Sequence, residues 1–267
     1  MEKPLIDRSV LTIAGSDSCG GSGIQADLNT FAAFGVYGAS VITAVAARNT
    51  VEVKAVEPVS HGMIVSQVES VMDDLPIAAI KIGALPSVAG ITVLGEHLAG
   101  LRPRVPMVVD PVVIEPKGKE LSGEFILEAL QNHLFPLATL ITPNLAEARI
   151  LTGMKIETVQ EMESAARQLL RFGSEAVLLK GGTFNGSEIT DLLVTGEKTE
   201  RYTHRTFPGL FHGTGCALSS AVAAQLAMDV SLSRAVDIAI AYVQECLASS
   251  RAPVKGHAGL LGYCPRN

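Results

Sequence analysis

Phe211-His212-Gly213-Thr214-Gly215-Cys216 runs directly into a stretch of small residues, Ala217-Leu218-Ser219-Ser220-Ala221-Val222-Ala223-Ala224. Glycines alternate with small polar residues, and then a helix begins. Such a segment aims several backbone N–H groups at one point, on the positive end of a helix dipole. It predicts an anion site, most simply for a phosphate. Cys216 sits inside this nest, where its thiolate form is expected to be favoured.

Outward from the nest, short apolar runs alternate with amphipathic stretches. Residues 9–14 read as a buried strand that breaks into a glycine-rich loop over 15–23, followed by a helix over 24–34 that Gly35 ends. Residues 39–46 read as a strand, 60–72 as a helix, and 78–82, 105–113 and 139–142 as further strands. Thr158 and Glu161 form a capping box for a helix ending near Phe172, with Gly173 as its cap. Residues 176–180 read as a strand, and 189–194 with 200–205 as a hairpin. A last helix, with Ser231 as N-cap, reaches about residue 249 and carries an apolar stripe. This alternation predicts one α/β domain over 1–267, with right-handed crossovers and a mostly parallel sheet. In such a sheet the ligand site lies beyond the carboxyl ends of the strands.

Composition agrees with that architecture. The 267 residues are 48% hydrophobic and 18% charged, with 4% aromatics and no Trp, so aliphatic residues must fill the core. That suits a parallel sheet covered on both faces. A net charge of -6 argues against nucleic acid as the main partner. The chain has no long charge-free apolar stretch for a membrane span and no apolar leader. Cys19, Cys216, Cys246 and Cys264 form no C-x-x-C pair, so a zinc site is not expected, and a reduced cytoplasmic protein is.

Several residues at predicted strand ends are candidates for chemistry. Gly15 to Gly23 lacks both the P-loop ending and the dinucleotide spacing; Asp17 and Asp27 either face the site or serve as capping or solvated carboxylates. Asp110, between Val109 and Pro111, is a carboxylate in an apolar setting that needs a partner. Asn144 and Glu147 either form a capping box or help place magnesium through waters. Lys180, before Gly181-Gly182, either contacts a phosphate or snorkels to solvent. Among the thiols Cys216 is the first candidate and Cys19 the second; Cys246 reads as core and Cys264 as exposed. The segment 114–121, with Lys117 and Lys119, is a candidate flap, a surface loop being the default.

The segments taken together resemble the ribokinase-like superfamily, and within it the hydroxymethylpyrimidine/phosphomethylpyrimidine kinases. The matching stretches, in order, are Thr12 to Asp17, Gly20 to Leu28, Tyr37-Gly38, Val41 to Ala44, Lys81 to Gly83, Val109 to Val112, Ile141 to Leu145 with Glu147, Leu179 to Gly182, and His212 to Cys216. The resemblance implies a three-layer sandwich with helices on both faces of a mostly parallel sheet. It implies transfer of the γ-phosphoryl group of ATP, with Mg2+, to 4-amino-5-hydroxymethyl-2-methylpyrimidine and then to its monophosphate. Cys216 takes the place of the superfamily's usual aspartate base, and Gly213, Thr214 and Gly215 complete the catalytic hole. Asp110, Asn144, Glu147, Lys180 and Thr214 map to the ATP, phosphate and magnesium network, with Asp110 and Glu147 reaching the metal through water. Gly15, Asp27, Arg48 and Ala84 map to the substrate pocket. Relatives are commonly homodimers.

The departures fall on that pocket. Arg48 stands where the family usually has Gln, and Ala84 where it has Met. Leu210-Phe211 and Ser18-Cys19 also differ from the usual residues. Arginine only donates hydrogen bonds, so it cannot accept from an amino group as an amide can. It suits an acceptor bearing a carboxylate or phosphate, unless it turns to solvent or pairs with a carboxylate such as Asp27. The alternatives are therefore a pyridoxal-type vitamin B6 kinase, a kinase with an altered acceptor, and a ligand-sensing protein on a kinase fold.

Overall fold

Ser9–Asp17 (β1) is the spine of the molecule, with Val10, Leu11 and Ile13 fully shielded from solvent. The structure is a computed structural model that describes residues 6–102, 104–112, 124–184, 188–253 and 255–264. After β1 come Gly23–Ala33 (α1), Tyr37–Arg48 (β2), Val53–Pro58 (β3), His61–Met72 (α2), Ile77–Ile82 (β4), Val88–Ala99 (α3) and Met107–Val109 (β5). Glu124–Ala129 (α4) continues through a wider turn and a tighter one to Leu137. Leu140–Ile141 (β6), Leu145–Thr152 (α5), Val159–Leu170 (α6), Ala176–Gly182 (β7), Glu188–Thr195 (β8) and Thr199–Arg205 (β9) follow. Leu210–His212 (β10), Thr214–Ala227 (α7), Leu232–Ala248 (α8) and Ala258–Leu260 (β11) end the described chain.

Nine strands form one sheet in the order β3-β2-β1-β4-β5-β6-β7-β8-β9. The six from β2 to β7 are parallel, and β3, β8 and β9 add antiparallel edges. Parallel central strands buried on both faces explain the unbroken aliphatic runs in the sequence. One apolar layer joins the sheet to α2, α3, α5 and α6 through Ile64, Val68, Ile91, Leu94, Leu151 and Met162. The other joins it to α1, α7 and α8 through Phe31, Val222, Ala239 and Tyr242. The result is the three-layer α/β sandwich that the resemblance implied.

Strand order reverses between β1 and β4, so the chain departs from the sheet in opposite directions there and opens a crevice at the carboxyl ends. Asp17, Arg48, Ile82, Val109, Ile141 and Gly182 are the last residues of their strands and rim that edge. Some expected bounds change. The strand expected over 105–113 is only Met107–Val109, and that over 139–142 is Leu140–Ile141. Gly15, expected in a loop, lies inside β1, where the register shifts between Ala14 and Ser16. The candidate flap 114–121 lies outside the described residues.

Candidate active site

The N-terminus of α7 is built to stay open. Gly213 is its N-cap at φ 84°, with no capping side chain. A Cβ there would lie 2.0 Å from the Gly21 carbonyl oxygen, so only glycine lets the two loops meet. Thr214, Gly215 and Cys216 are the first helical turn, whose amides have no partner within the helix. A Cβ on Gly215 would stand 3.3 Å from Lys180 Nζ and 3.4 Å from Asp110 Oδ2. The glycine thus brings backbone, cation and carboxylate to one point.

Lys180 and Asp110 form an ion pair at 3.1 Å, Nζ to Oδ1. Thr142 Oγ1 donates to the same carboxylate oxygen at 3.0 Å. Burial opposes the lysine's charge, but Asp110 and Glu147 outweigh it and hold its pKa above the ordinary value. Lys180 is therefore a fixed ammonium that neither snorkels outward nor loses its proton. Asn144 and Glu147 form a full capping box: Glu147 N donates to Asn144 Oδ1 at 2.9 Å, and Asn144 N donates to Glu147 Oε2 at 2.8 Å. One oxygen of Glu147 is thereby committed to the helix end.

Beneath the hole lies a second pair that is sealed. Lys81 Nζ donates to both carboxylate oxygens of Asp27, at 2.9 and 2.8 Å, and neither side chain has any exposure. Thr12 Oγ1 and Ser220 Oγ donate to the same carboxylate at 2.6 and 2.7 Å. Burial opposes the Lys81 charge, yet Asp27 keeps it well above its ordinary range. Asp27, expected in the substrate pocket, is instead fully enclosed, because three side chains saturate it with four hydrogen bonds. Of the two candidate aspartates Asp17 is the one at the rim.

Cys216 lies above this pair. The Gly23 amide, at the first turn of α1, donates to its sulfur, so two helix N-termini converge on it. Cys216 is only partly buried, yet its thiol is pushed up to about 11: desolvation outweighs Lys81 and the Gly23 amide, and Asp27 and Asp110 add to the rise. That balance runs against the thiolate expected from the nest.

Beside the hole opens a cleft of about 380 Å³. Lys180, Thr214 and Gly215 line its polar end, and Phe207, Val243 and Leu247 its apolar end. Arg48, outside the lining of this cleft, neither turns to solvent nor meets Asp27. Its Nη1 lies 3.3 Å from Ser22 Oγ and 3.9 Å from Asp17 Oδ2, and its Nη2 3.1 Å from His212 Nδ1. Ala84 is held through its carbonyl, which accepts from Thr43 Oγ1 at 2.8 Å.

A family model described as phosphomethylpyrimidine kinase matches residues 17–260. The chain belongs to the phosphomethylpyrimidine kinase family. It is 45% identical over 242 residues to a hydroxymethylpyrimidine/phosphomethylpyrimidine kinase of Rhizobium meliloti, covering 90% of each chain. A crystal structure of the phosphomethylpyrimidine kinase from Clostridium difficile superposes with a TM-score of 0.80 at 41% identity, covering 90% of this chain and 99% of that one. An ADP complex of Bacillus subtilis pyridoxal kinase superposes at 0.87 with 34% identity, covering 96% and 97%. The enzyme class is phosphotransferase, on the ribokinase-like fold.

Against that family, the structure brings Gly213, Thr214, Gly215, Cys216, Lys180 and Asp110 together and keeps Asn144 and Glu147 alongside at the start of α5. It does not bring Asp27 into the cleft. Sequence reasoning missed the polar chain on the cleft's far side: Asp191 accepts from Gly181 N at 2.7 Å and meets His204 Nε2 at 2.9 Å, while His204 Nδ1 meets Gln244 Nε2 at 3.0 Å. The signal was there, a lone carboxylate in the apolar run Ile189-Thr190-Asp191-Leu192-Leu193. His212 and Ser22, the partners of Arg48, were also not singled out as site residues.

Proposed function

We propose that this protein, acting as one kinase domain in the cytoplasm, transfers the γ-phosphoryl group of ATP to the hydroxymethyl group of 4-amino-5-hydroxymethyl-2-methylpyrimidine, and then to the resulting monophosphate, in thiamine biosynthesis. The observation that carries this reading is the uncapped first turn of α7 facing the Lys180–Asp110 pair, in a chain of the phosphomethylpyrimidine kinase family.

The nucleotide occupies the 380 Å³ cleft, its base toward Phe207 and Leu247 and its phosphates toward Lys180 and Thr214. The amides of Thr214, Gly215 and Cys216 take up charge on the transferring phosphoryl group, where preorganised donors in a water-poor site act strongly. A bound Mg2+ would supply neutralisation of the charge that develops on the phosphates. Asp110 Oδ2, on the side facing Gly215, fits such an ion, with Glu147 acting through water; a cation that retains several waters needs only one or two protein carboxylates. Among the described residues no cluster of three or more His, Cys, Asp or Glu could encage a metal. Cys216, held as a thiol, orients the acceptor hydroxyl more than it takes its proton.

Coupled ADP release over a panel of pyrimidine and pyridine alcohols tests the reading. Turnover of the hydroxymethylpyrimidine and of its monophosphate above all others is expected. Preference for pyridoxal would overturn the substrate assignment, and nucleotide binding without turnover of any alcohol would favour a sensor. A homodimer belongs to the same proposal. It is supported by the exposed edge strand β3, which with β2 presents Val45, Val53 and Val56; sedimentation equilibrium measures it. Among the described residues no helix is long and apolar enough to cross a membrane.

A further inference from the structure

Arg48 is gripped at both ends. Ser18 Oγ donates to its carbonyl at 2.7 Å and accepts from its amide at 2.8 Å, fixing the backbone. Its guanidinium reaches Ser22 and Asp17 on one side and His212 on the other, and its side chain is 15% exposed. His212 immediately precedes Gly213, the cap of the phosphate hole. A permanent cation is thus held against the residue that leads into the cap of the phosphate hole.

That cation is only loosely compensated. Asp17 is 3.9 Å away and already accepts from Cys19 N at 2.9 Å and from Ser22 Oγ at 2.7 Å. Burial, and then Arg48 itself, hold His212 below its ordinary pKa against the pull of Asp17, so it stays neutral and accepts at Nδ1. Cys19, near both charges, is raised by burial and by Asp17 and is a neutral thiol. Among the described residues Asp17 is the one carboxylate within ion-pair distance of Arg48.

We propose that Arg48 is a specificity-determining residue that favours an acceptor already bearing a phosphate over the neutral alcohol. The inference rests on the pyrimidine-kinase reading and names which of its two acceptors this chain prefers. In both reactions an acceptor oxygen bonds to the γ-phosphorus and the bond to the ADP oxygen breaks. The γ-phosphoryl charge is common to both, so its attraction to Arg48 cancels from their ratio. What remains is the acceptor's own phosphate, which carries about -1.5 to -2 charge at neutral pH and gains from a cation in a partly buried site. The proton balance points the same way. The alcohol must release a proton, and Cys216 is a poor base for it, whereas a phosphate monoester oxygen is already largely unprotonated.

The test compares kcat/KM for the alcohol and for the monophosphate, measured separately by initial ADP release, in the wild type, Arg48→Gln and Arg48→Lys. The monophosphate-to-alcohol ratio should fall about tenfold in Arg48→Gln, mostly through KM for the monophosphate, and only slightly in Arg48→Lys. In the wild type the ratio should fall as salt rises. A ratio unchanged in Arg48→Gln and insensitive to salt overturns the inference while leaving the kinase reading intact. Turnover of neither acceptor by the wild type overturns both.

Discussion

Two lysine–aspartate pairs flank Cys216, and they differ in one respect that decides what each does. Lys81–Asp27 is fully enclosed, and Asp27 accepts four hydrogen bonds from three side chains. Lys180–Asp110 has 11% and 5% exposure; its lysine lines the cleft, and Asp110 Oδ2 is turned toward Gly215, which lines it too. Each joins a strand lysine to an aspartate from another element. Closure makes the first a keystone between β1, β4, α1 and α7. The small opening makes the second available to a ligand. The lesson is that a buried charge pair indicates chemistry only when one side of it faces a place where another molecule can go.

The largest expected effects separate the two pairs. Asp27→Ala leaves Lys81 as an uncompensated buried charge and should cost about 3–5 kcal/mol of stability in urea unfolding. A loss below about 1 kcal/mol would mean that water reaches the pair. Lys180→Met should do the reverse. Removing the cleft-lining Lys180 opens a path for water to Asp110, so stability should change by only about 1 kcal/mol. Turnover should fall by about 10²–10³, as when one donor to a developing oxyanion is lost. If the two variants gave the same ratio of stability loss to activity loss, the distinction between closed and open pairs would fail.

The contrast was partly legible in the sequence. Strand–helix alternation exposed the sandwich, and residues at the strand ends, Asp110 and Lys180 among them, were placed correctly at the rim because parallel sheets put their carboxyl ends there. Asp27 was misplaced because a one-dimensional reading cannot see Thr12, Lys81 and Ser220, from three other elements, closing on it. Helix α3 was missed because Gly90 and Gly95 lower its helical signal; Gly95 is there because a Cβ would come within 2.7 Å of the His133 carbonyl oxygen. Strand β3 was missed because every residue in it is exposed, so no alternation marks it. The state of Cys216 depends on desolvation, which sequence spacing does not report.

A smaller effect follows at Cys216, between the two pairs. With a pKa near 11 only about one molecule in a thousand is thiolate at pH 8. Alkylation by iodoacetamide, followed by mass spectrometry of the Cys216 peptide, should be slow there. It should accelerate about tenfold per pH unit up to about pH 10. Cys216→Ala should lower turnover of the alcohol about tenfold, less than a proton-accepting residue typically would. A loss beyond a thousandfold would show that the thiolate carries the proton and that the sealed Lys81 lowers the cost of forming it.

The smallest effect separates helix capping from ligand binding at the edge of the open pair. Asn144 caps α5 through its side chain, and its backbone bridges to Lys180. Asn144→Ala removes an N-cap acceptor and should cost about 1 kcal/mol. Aspartate caps as well as asparagine, so Asn144→Asp should restore that stability. It also adds a negative charge beside phosphates. If Asn144 only caps, Asn144→Asp has wild-type Tm and wild-type KM for ATP. If its amide faces the nucleotide, Asn144→Asp keeps Tm but raises KM for ATP several-fold, because a carboxylate repels the phosphates that an amide tolerates. The second outcome is expected, since Asn144 lines the cleft next to Lys180. It would extend the open region by one residue beyond Asp110 and Lys180 while leaving the sealed pair untouched.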